Sequence, residues 1–188
     1  MVNVITAPTE YPVSLTDAKA ALLVDHDQDD ALIMRLVAAA TDEAERISGR
    51  AFVSRTVELV ADYWPHDGAF RLAYPPVSAV SQISYFDEDN TENVVSLSVY
   101  QAILDVTPPV IMLKKNQSWP TSALRALSPI RVRYVAGYGS ASAVPERYRA
   151  LILALVAVDY ENREAISTTA TVQRARLQAA LKLDWGWA

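Results

Sequence analysis

The apolar side chains of this chain change their spacing twice, and that change limits the folds open to it. Residues 14–48 carry them at helical intervals, residues 52–136 alternate at strand intervals, and residues 144–183 return to helical intervals. A helix face repeats every ~3.6 residues and a strand face every ~2, so neither pattern can serve the other element. The chain is therefore read as α+β, with helices towards its two ends and strands in its middle. Its 188 residues bury enough surface to fold without a covalent staple.

The first helix is predicted to start at Ser14. Ser14-Leu15-Thr16-Asp17 reads as a capping box in which Asp17 stands where Glu or Gln is usual. Leu15, Ala18, Leu22 and Leu23 form its expected buried stripe, and it stops near Val24. A longer helix follows. Asp27, Asp29 and Asp30 crowd its start, where the helix dipole favours negative charge. Leu32, Ile33, Leu36, Val37, Ala40, Ala44 and Ile47 recur at helical spacing, and Gly49 is the expected stop.

The middle zone alternates. Val57, Leu59, Ala61 and Tyr63 share one face, with Glu58 and Asp62 on the other. Ile83 and Tyr85 oppose Gln82 and Ser84; Val95, Leu97 and Val99 oppose Ser96 and Ser98; Ile130, Val132 and Tyr134 oppose Arg131 and Arg133. Val110–Leu113 is a short apolar run of strand length. Pro65-His66-Asp67-Gly68, Pro75-Pro76, Asp87 to Asn93 and Pro108-Pro109 punctuate these runs, which suggests a small antiparallel sheet or sandwich.

Pro145 opens the third helix. Tyr148, Leu151, Ile152, Leu155 and Val158 are apolar, and so are Leu153, Ala154 and Val156, so this helix is expected to be buried on several sides. A Ser/Thr-rich hinge, Ser167 to Thr171, precedes a last amphipathic stretch, Val172 to Leu183. The chain ends in Asp184-Trp185-Gly186-Trp187-Ala188. The longest uncharged apolar stretch, Ala150 to Val158, falls well short of the ~20 residues of a membrane span, and the N-terminus has no secretory pattern.

Several chemistries are excluded early. Cysteine is absent, which removes disulfides, thiolate nucleophiles and Cys-ligated zinc. With only His26 and His66, a multi-histidine metal centre is out as well. Asp25-His26-Asp27-Gln28-Asp29-Asp30 has acids where a calcium loop has them, but Asp30 replaces the glycine and Leu36 the closing glutamate. Gly137-Tyr138-Gly139 lacks the remaining residues of a phosphate loop and reads as a tight strand-to-helix turn. His66-Asp67 has no nucleophile-elbow sequence beside it. Asp87-Glu88-Asp89 reads as a solvated turn. No motif calls for a metal or a cofactor.

The net charge of −5 conceals a split. Residues 1–100 hold 16 acids and 6 bases, whereas residues 101–188 hold 6 acids and 11 bases. Such a chain either pairs its halves internally or docks head-to-tail on copies of itself. Arg131 and Arg133 on one strand face, with Lys114, Lys115, Arg174, Arg176 and Lys182, make up much of the basic half. They suit solvated faces and ion pairs, or contact with acidic neighbours or a DNA backbone. Trp185 and Trp187 either fold back on their own domain or anchor in a pocket of another chain.

In order along the chain, Ser14-Leu15-Thr16-Asp17-Ala18-Lys19, Asp25-His26-Asp27, Asp30-Ala31-Leu32-Ile33 and Ala44-Glu45 make one half of a familiar set. Val132-Arg133-Tyr134-Val135-Ala136-Gly137-Tyr138-Gly139, Val144-Pro145 and Tyr160-Glu161-Asn162-Arg163-Glu164 make the other. With Pro75-Pro76-Val77 and Trp119-Pro120 between them, the set resembles the head–tail connector (adaptor, head-completion) proteins of tailed bacteriophages and gene transfer agents over residues 8–165.

The resemblance implies a structural virion protein rather than an enzyme, with no cofactor. It implies a helical bundle of three main helices plus a C-terminal helical arm, with an antiparallel β-rich insertion between the second and third helices. The corresponding division is 1–50, 51–136, 137–166 and an arm at 167–188. The implied partners are further copies in a ring, usually a dodecamer, the portal protein above it, and a downstream neck, stopper or tail-terminator protein below. Double-stranded DNA would pass through the lumen without sequence-specific binding, and no membrane is involved. The implied location is the virion neck, assembled in the bacterial host cytoplasm.

Candidate inter-subunit residues are Asp27, Asp29, Asp30, Arg131, Arg133, Arg147 and Arg163. Candidate partner-binding residues on the arm are Arg174, Arg176, Leu177, Leu181, Trp185 and Trp187. The family often ends in a Pro-Tyr-Arg-like segment, whereas this chain ends in Trp-Gly-Trp. Two other classes stay open: a small hydrolase using the Pro65–Gly68 turn or the Gly137–Gly139 loop, and a soluble module whose β region binds a ligand or peptide.

Overall fold

The computed structural model describes residues 1–163 and 168–182. The chain divides into two compact units: Thr9–Val53 with Gly139–Ala188, which is helical, and Met1–Pro8 with Ser54–Tyr138, which is β-rich. The fold is α+β, with four α-helices and two antiparallel sheets among the described residues.

In the helical unit, α1 spans Leu15–Leu22 and α2 Asp30–Ser48. The capping box forms as expected. Ser14 Oγ accepts the Asp17 amide at 3.1 Å and the Asp17 carboxylate accepts the Ser14 amide at 3.4 Å. The helix ends because Leu23 turns left-handed, with φ at 56°, and two of its last carbonyls receive the Leu23 amide. Leu23 is thereby 92% exposed, so it leaves the predicted stripe, of which Ala18 is the fully buried member.

α2 follows its sequence pattern more closely. Ile33, Val37, Ala40, Ala44 and Ile47 are buried, and Gly49 closes the helix with φ at 63°. Glu45 is buried beside this stripe, its Oε1 accepting the Phe52 amide at 2.7 Å.

A short 3₁₀ turn, Ala141–Ala143, leads through Pro145 into α3, Glu146–Glu161. Tyr148, Ile152, Leu155 and Val156 are buried, and the Tyr148 ring lies 4.8 Å from that of Phe52. The expected burial of α3 on several sides is found, since α1, α2 and α4 all pack against it. Leu151, Leu153, Ala154, Ala157 and Val158 remain half-buried, because α2, α1 and α4 together cover only part of its circumference. α4 spans Thr168–Lys182, so Thr168–Thr171 of the expected hinge are helical, while Ser167 lies outside the described residues. Within α4, Ala170 and Leu181 are buried.

In the β unit, β1 is Val2–Thr6, β2 Arg55–Ala61, β3 Ala69–Arg71, β4 Val77–Phe86, β5 Glu92–Val94, β6 Tyr100–Ile103, β7 Val110–Leu113 and β8 Ile130–Ala136. The larger sheet runs β1-β2-β8-β4-β5 and the smaller β3-β7-β6. β8 is central, and its Ile130, Val132, Tyr134 and Ala136 are buried as the alternation requires. Burial pushes the Tyr134 hydroxyl up to about 12, and it donates to the Ala73 carbonyl at 3.1 Å. Trp64, Phe70, Tyr85 and Trp119 form an aromatic cluster that brings residues of both sheets together, with the two indoles stacked 5.0 Å apart.

Three strand expectations change. β1 has no counterpart in the sequence reading; it is too short and too close to the terminus to show a period. Val95–Val99 is a turn, not a strand: Ser96 Oγ accepts the Ser98 amide at 3.2 Å, and a local bond of this kind competes with a ladder. Val95 still reaches the core, whereas Leu97 is 69% exposed. β2 ends at Ala61, so Tyr63 is 79% exposed and does not share the Val57 face.

The cap gives a direct test of α1. Ser14→Ala should lower the stability of the chain by about 1 kcal/mol, read as a shift of the urea midpoint at constant slope.

Candidate assembly surfaces

The acidic start of α2 is organised by one lysine. Lys19 Nζ, projecting from α1, donates to Asp27 Oδ1 at 2.7 Å and to Asp30 Oδ1 at 2.8 Å. The bond to Lys19 and its charge hold the Asp27 carboxyl below its ordinary value, and the same bonds raise the Lys19 ammonium. The calcium-like spacing is thus occupied by an ammonium group. Asp29 turns elsewhere: its Oδ2 accepts the Tyr160 hydroxyl at 2.6 Å, which raises the Tyr160 hydroxyl above its ordinary value. Arg163 lies over the Tyr160 ring, 4.8 Å from its centroid, and donates to the Tyr160 carbonyl at 3.1 Å. Asp29 and Arg163, distant in sequence, therefore meet at one tyrosine.

Arg147 lies 4.8 Å from the Tyr148 ring centroid at the start of α3. One residue pair on, Arg149 reaches back to the N-terminus of α1, donating to the Pro12 carbonyl at 3.1 Å and bridging Asp17 and Glu146. Bonds from the Ser14 side chain and amide, with Arg149 nearby, hold Asp17 below its ordinary value.

On the β unit, Arg131 and Arg133 share a carboxylate. Glu58 of β2 is 1% exposed and accepts Arg131 Nη1 at 2.5 Å and Arg133 Nε at 2.7 Å. The register places Glu58 directly across from Arg133. The Phe86 ring carries two guanidinium groups, Arg125 at 4.0 Å and Arg131 at 5.4 Å. The sequence places Glu58 on the polar face, and the fold buries it under the arginines of that same face.

On α4, Arg174 bonds both Glu43 of α2 and Asp159 of α3, and Gln178 Nε2 donates to Glu43 Oε1 at 2.5 Å. Arg176 is exposed, Leu177 half-buried and Leu181 buried. Trp185 and Trp187 lie outside the described residues. Alongside this seam runs a cavity of about 400 Å³ lined by Val158, Asp159, Asn162, Ala170, Thr171, Arg174, Ala175 and Gln178.

The structure therefore brings together Asp27 with Asp30, Asp29 with Arg163, and Arg131 with Arg133, each pair through a third residue. Those third residues, Lys19, Tyr160 and Glu58, and the arm's partner Glu43 were missed in sequence. Only Lys19 left a signal, one helix turn past an acidic cap in a helix with no other base. The hydrolase alternatives gain nothing from geometry. The Asp67 carboxylate is taken by the Ala69 amide at 3.2 Å and Arg71 Nη2 at 2.9 Å, which keep it below its ordinary value. Asp87 serves its own turn, accepting the Thr91 amide at 2.9 Å and Asn93 Nδ2 at 2.9 Å, and is lowered likewise. Gly137 and Gly139, with φ at 119° and 124°, make the turn out of β8. Among the described residues no three His, Cys, Asp or Glu side chains cluster to hold a metal, and no helix is long and apolar enough to cross a membrane.

The charged side chains of these surfaces are held by ion pairs within the chain. The chain belongs to the phage gp6-like head-tail connector protein family, whose family model matches residues 12–105. It is a structural virion connector. A search of curated proteins gave no match. Among solved structures the chain is similar to a protein in the neck of an empty gene transfer agent particle computed with C6 symmetry. That match has a TM-score of 0.80 at 21% identity and covers 97% of this chain and 95% of that one. A chain in the neck of a native particle computed with C12 symmetry matches at TM-score 0.75 and 22% identity, covering 97% and 94%. One in the virion of a native particle matches at 0.75 and 21%, covering 94% of each. At such identities the likeness is one of fold.

Three outcomes follow from these bonds. Glu58→Ala should cost about 2–3 kcal/mol in urea unfolding, short of a fully buried pair because both arginines reach water. Asp17, Asp27, Asp67 and Asp87 are all depressed in the folded state, so their stabilisation is present above the ordinary carboxylate range and lost as pH falls through their lower folded values. The melting temperature should accordingly drop below about pH 4. In Lys19→Met, carboxyl NMR titration should find Asp27 moved up towards its ordinary value.

Proposed function

We propose that this chain is a head–tail connector subunit that closes into a ring in the virion neck, extends the DNA channel below the portal, and offers a docking surface to the next neck or tail protein. The observation that carries the reading is the end-to-end match of fold, over 97% of this chain, to a neck protein of particles treated with C6 and C12 symmetry. Family membership supports the head–tail position. A cyclic neck supports a homo-oligomeric ring, with a dodecamer as the proposed size, assembled in the host cytoplasm.

A ring is built from heterologous contacts, so each subunit must offer two different faces. Asp27, Asp29, Asp30, Arg147 and Arg163 on the helical unit, and Arg131 and Arg133 on the β unit, are the proposed contributors. Their in-chain partners fix their geometry and leave Arg133 and Arg147 partly open to solvent. Residues 167–188 are the proposed arm, with Arg174, Arg176, Leu177, Leu181, Trp185 and Trp187 as its portal-facing residues. The net charge of −5 suits a lumen through which DNA slides, since a grip on phosphates needs a strong excess of bases.

Mass photometry and negative-stain imaging of the full chain, with and without a portal complex, test the proposal. Rings, alone or on the portal, are the expected result, and His66→Ala should leave them unchanged. A chain that stays monomeric with portal present and never enters particles would overturn the reading.

A further inference from the structure

We propose that the outer edges of β1 and β6 are a matched pair of strand-pairing edges, and that β1 of one copy adds to β6 of the next. The inference rests on the ring reading and names the backbone that joins its subunits.

Among the described residues the β unit has four sheet edges: β1 and β5 on the larger sheet, β3 and β6 on the smaller. Along an antiparallel strand, residues whose N–H and C=O face the partner alternate with residues whose groups face away. The backbone bonds fix that alternation at each edge. Met1 and Val60 exchange both bonds, at 3.0 and 2.8 Å, and Asn3 stands opposite Glu58 two residues on. The peptide groups of Val2 and Val4 therefore face away from β2. In the smaller sheet the Leu113 amide donates to Gly68 at 3.2 Å and the Leu72 amide to Pro109 at 2.8 Å. Phe70 therefore faces β7, and Ala69 and Arg71 face outwards. On the other side of β7, the Lys114 amide donates to Val99 at 2.9 Å, so Gln101 and Ile103 face β7 and Tyr100 and Ala102 face outwards. On β5, the bonds from Asp87 to Thr91 and from Val95 to Ile83 turn Asn93 inwards and leave Glu92 and Val94 facing out.

Two of the four edges are blunted. On β3 the outward Ala69 amide is already taken by Asp67 Oδ1 at 3.2 Å, and Arg71 adds a guanidinium paired to that same carboxylate at 2.9 Å. β5 is only three residues long, carries Glu92 on its edge, and follows the acidic turn Asp87-Glu88-Asp89. Shortness and charge are the usual means of keeping an edge from pairing.

β1 and β6 carry no such guard. Val2-Asn3-Val4-Ile5-Thr6 and Tyr100-Gln101-Ala102-Ile103 hold neither a charge nor a proline. Val4 is 53% and Ile5 50% exposed, and Gln101 and Ala102 are exposed as well. The register of β1 is regular from Val2 to Val4 and shifts only beyond it. An uncharged, regular edge of this kind accepts an added strand through its main chain.

The occupant follows from the match between the two edges. Each presents the N–H and C=O of two residues spaced two apart, Val2 with Val4 and Tyr100 with Ala102. Laid antiparallel, Val2 meets Ala102 and Val4 meets Tyr100, which makes two fully bonded rungs. Neither edge brings a charge that the other would leave unpaired. Two different edges of one chain make a heterologous contact, the kind a ring needs, whereas β1 against β1 would stop at a two-fold dimer.

Val4→Pro and Ala102→Pro each delete one outward donor, and proline is tolerated on an edge strand where its missing N–H faced solvent. Urea midpoints near that of the parent chain check that both variants fold. Val4→Lys and Ala102→Lys guard the same edges with a charge and leave the backbone intact. Full-length chains are compared by size-exclusion chromatography with light scattering, under the conditions in which the parent chain forms rings. Each variant alone should lose the ring peak and run as a monomer. An equimolar mixture of Val4→Pro and Ala102→Pro should give a dimer and nothing larger, because the first keeps only its β6 edge and the second only its β1 edge. Rings from the proline and lysine variants alike would overturn the proposal, and so would a mixture that stays monomeric. Rings that persist in the variants but no longer bind the portal complex would assign the edge to a strand of another protein, which overturns it too. In all three cases the parent chain still forms rings and the ring reading stands. A parent chain that forms none overturns both.

Discussion

The fold depends on one ladder. β2 and β8 lie antiparallel with Arg55 opposite Ala136 and Ala61 opposite Ile130, so the two ends of a long β-rich segment run side by side. Closing a loop of this length costs conformational entropy that grows only with its logarithm, but some interaction must meet it. A ladder with Val57, Ile130, Val132 and Tyr134 buried along it does so. Just beyond, Val53 bridges Gly139, so the chain that leaves the helical unit after α2 returns at the same place to begin α3. Without that closure α2 and α3 would be two helices at the ends of a long tether.

Glu58 sits in the middle of this ladder, and its burial fixes more than charge. A slip of one residue would exchange the faces of β2 and place Glu58 among the apolar side chains of β8. The two arginines that receive it come from alternate positions of the opposite strand, so they read the correct face and the correct register together. A buried carboxylate is a poor source of net stability, but the cost of misplacing it makes it a good register mark.

The charge split of the sequence changes meaning in the fold. Counted by halves, the chain is strongly acidic and then basic. Counted by compact units, the helical unit holds 14 acids and 10 bases, and the β unit 8 acids and 7 bases. Much of the dipole vanishes because each unit draws on both halves: Glu58 meets Arg131 and Arg133, Asp17 meets Arg149, and Glu43 meets Arg174. Of the two possibilities the composition left open, pairing within one chain accounts for these bases. Tertiary partners of this kind were illegible in sequence, since nothing local distinguishes Glu58 or Glu43 from a solvated acid. What was legible was whatever depended on period or on a cap: α1 from Ser14 and Asp17, α2 from its stripe and Gly49, β8 from strict alternation. Leu23 and Leu97 escaped because local backbone geometry, a left-handed turn and a serine turn, overrode the hydrophobic pattern around them.

α3 shows the same divergence in a milder form. Its sequence is apolar on every side, which for an isolated domain would mean a helix enclosed by others. Its structure has one well-buried face and several half-covered leucines, alanines and valines around it. α4, which covers part of that remainder, is polar for much of its length and meets its neighbours through Arg174 and Gln178. A sequence that places apolar residues where its own fold does not fully bury them carries a solvation cost in the lone subunit. That cost is moderate here, since these side chains are half-buried and no large apolar side chain of α3 is exposed.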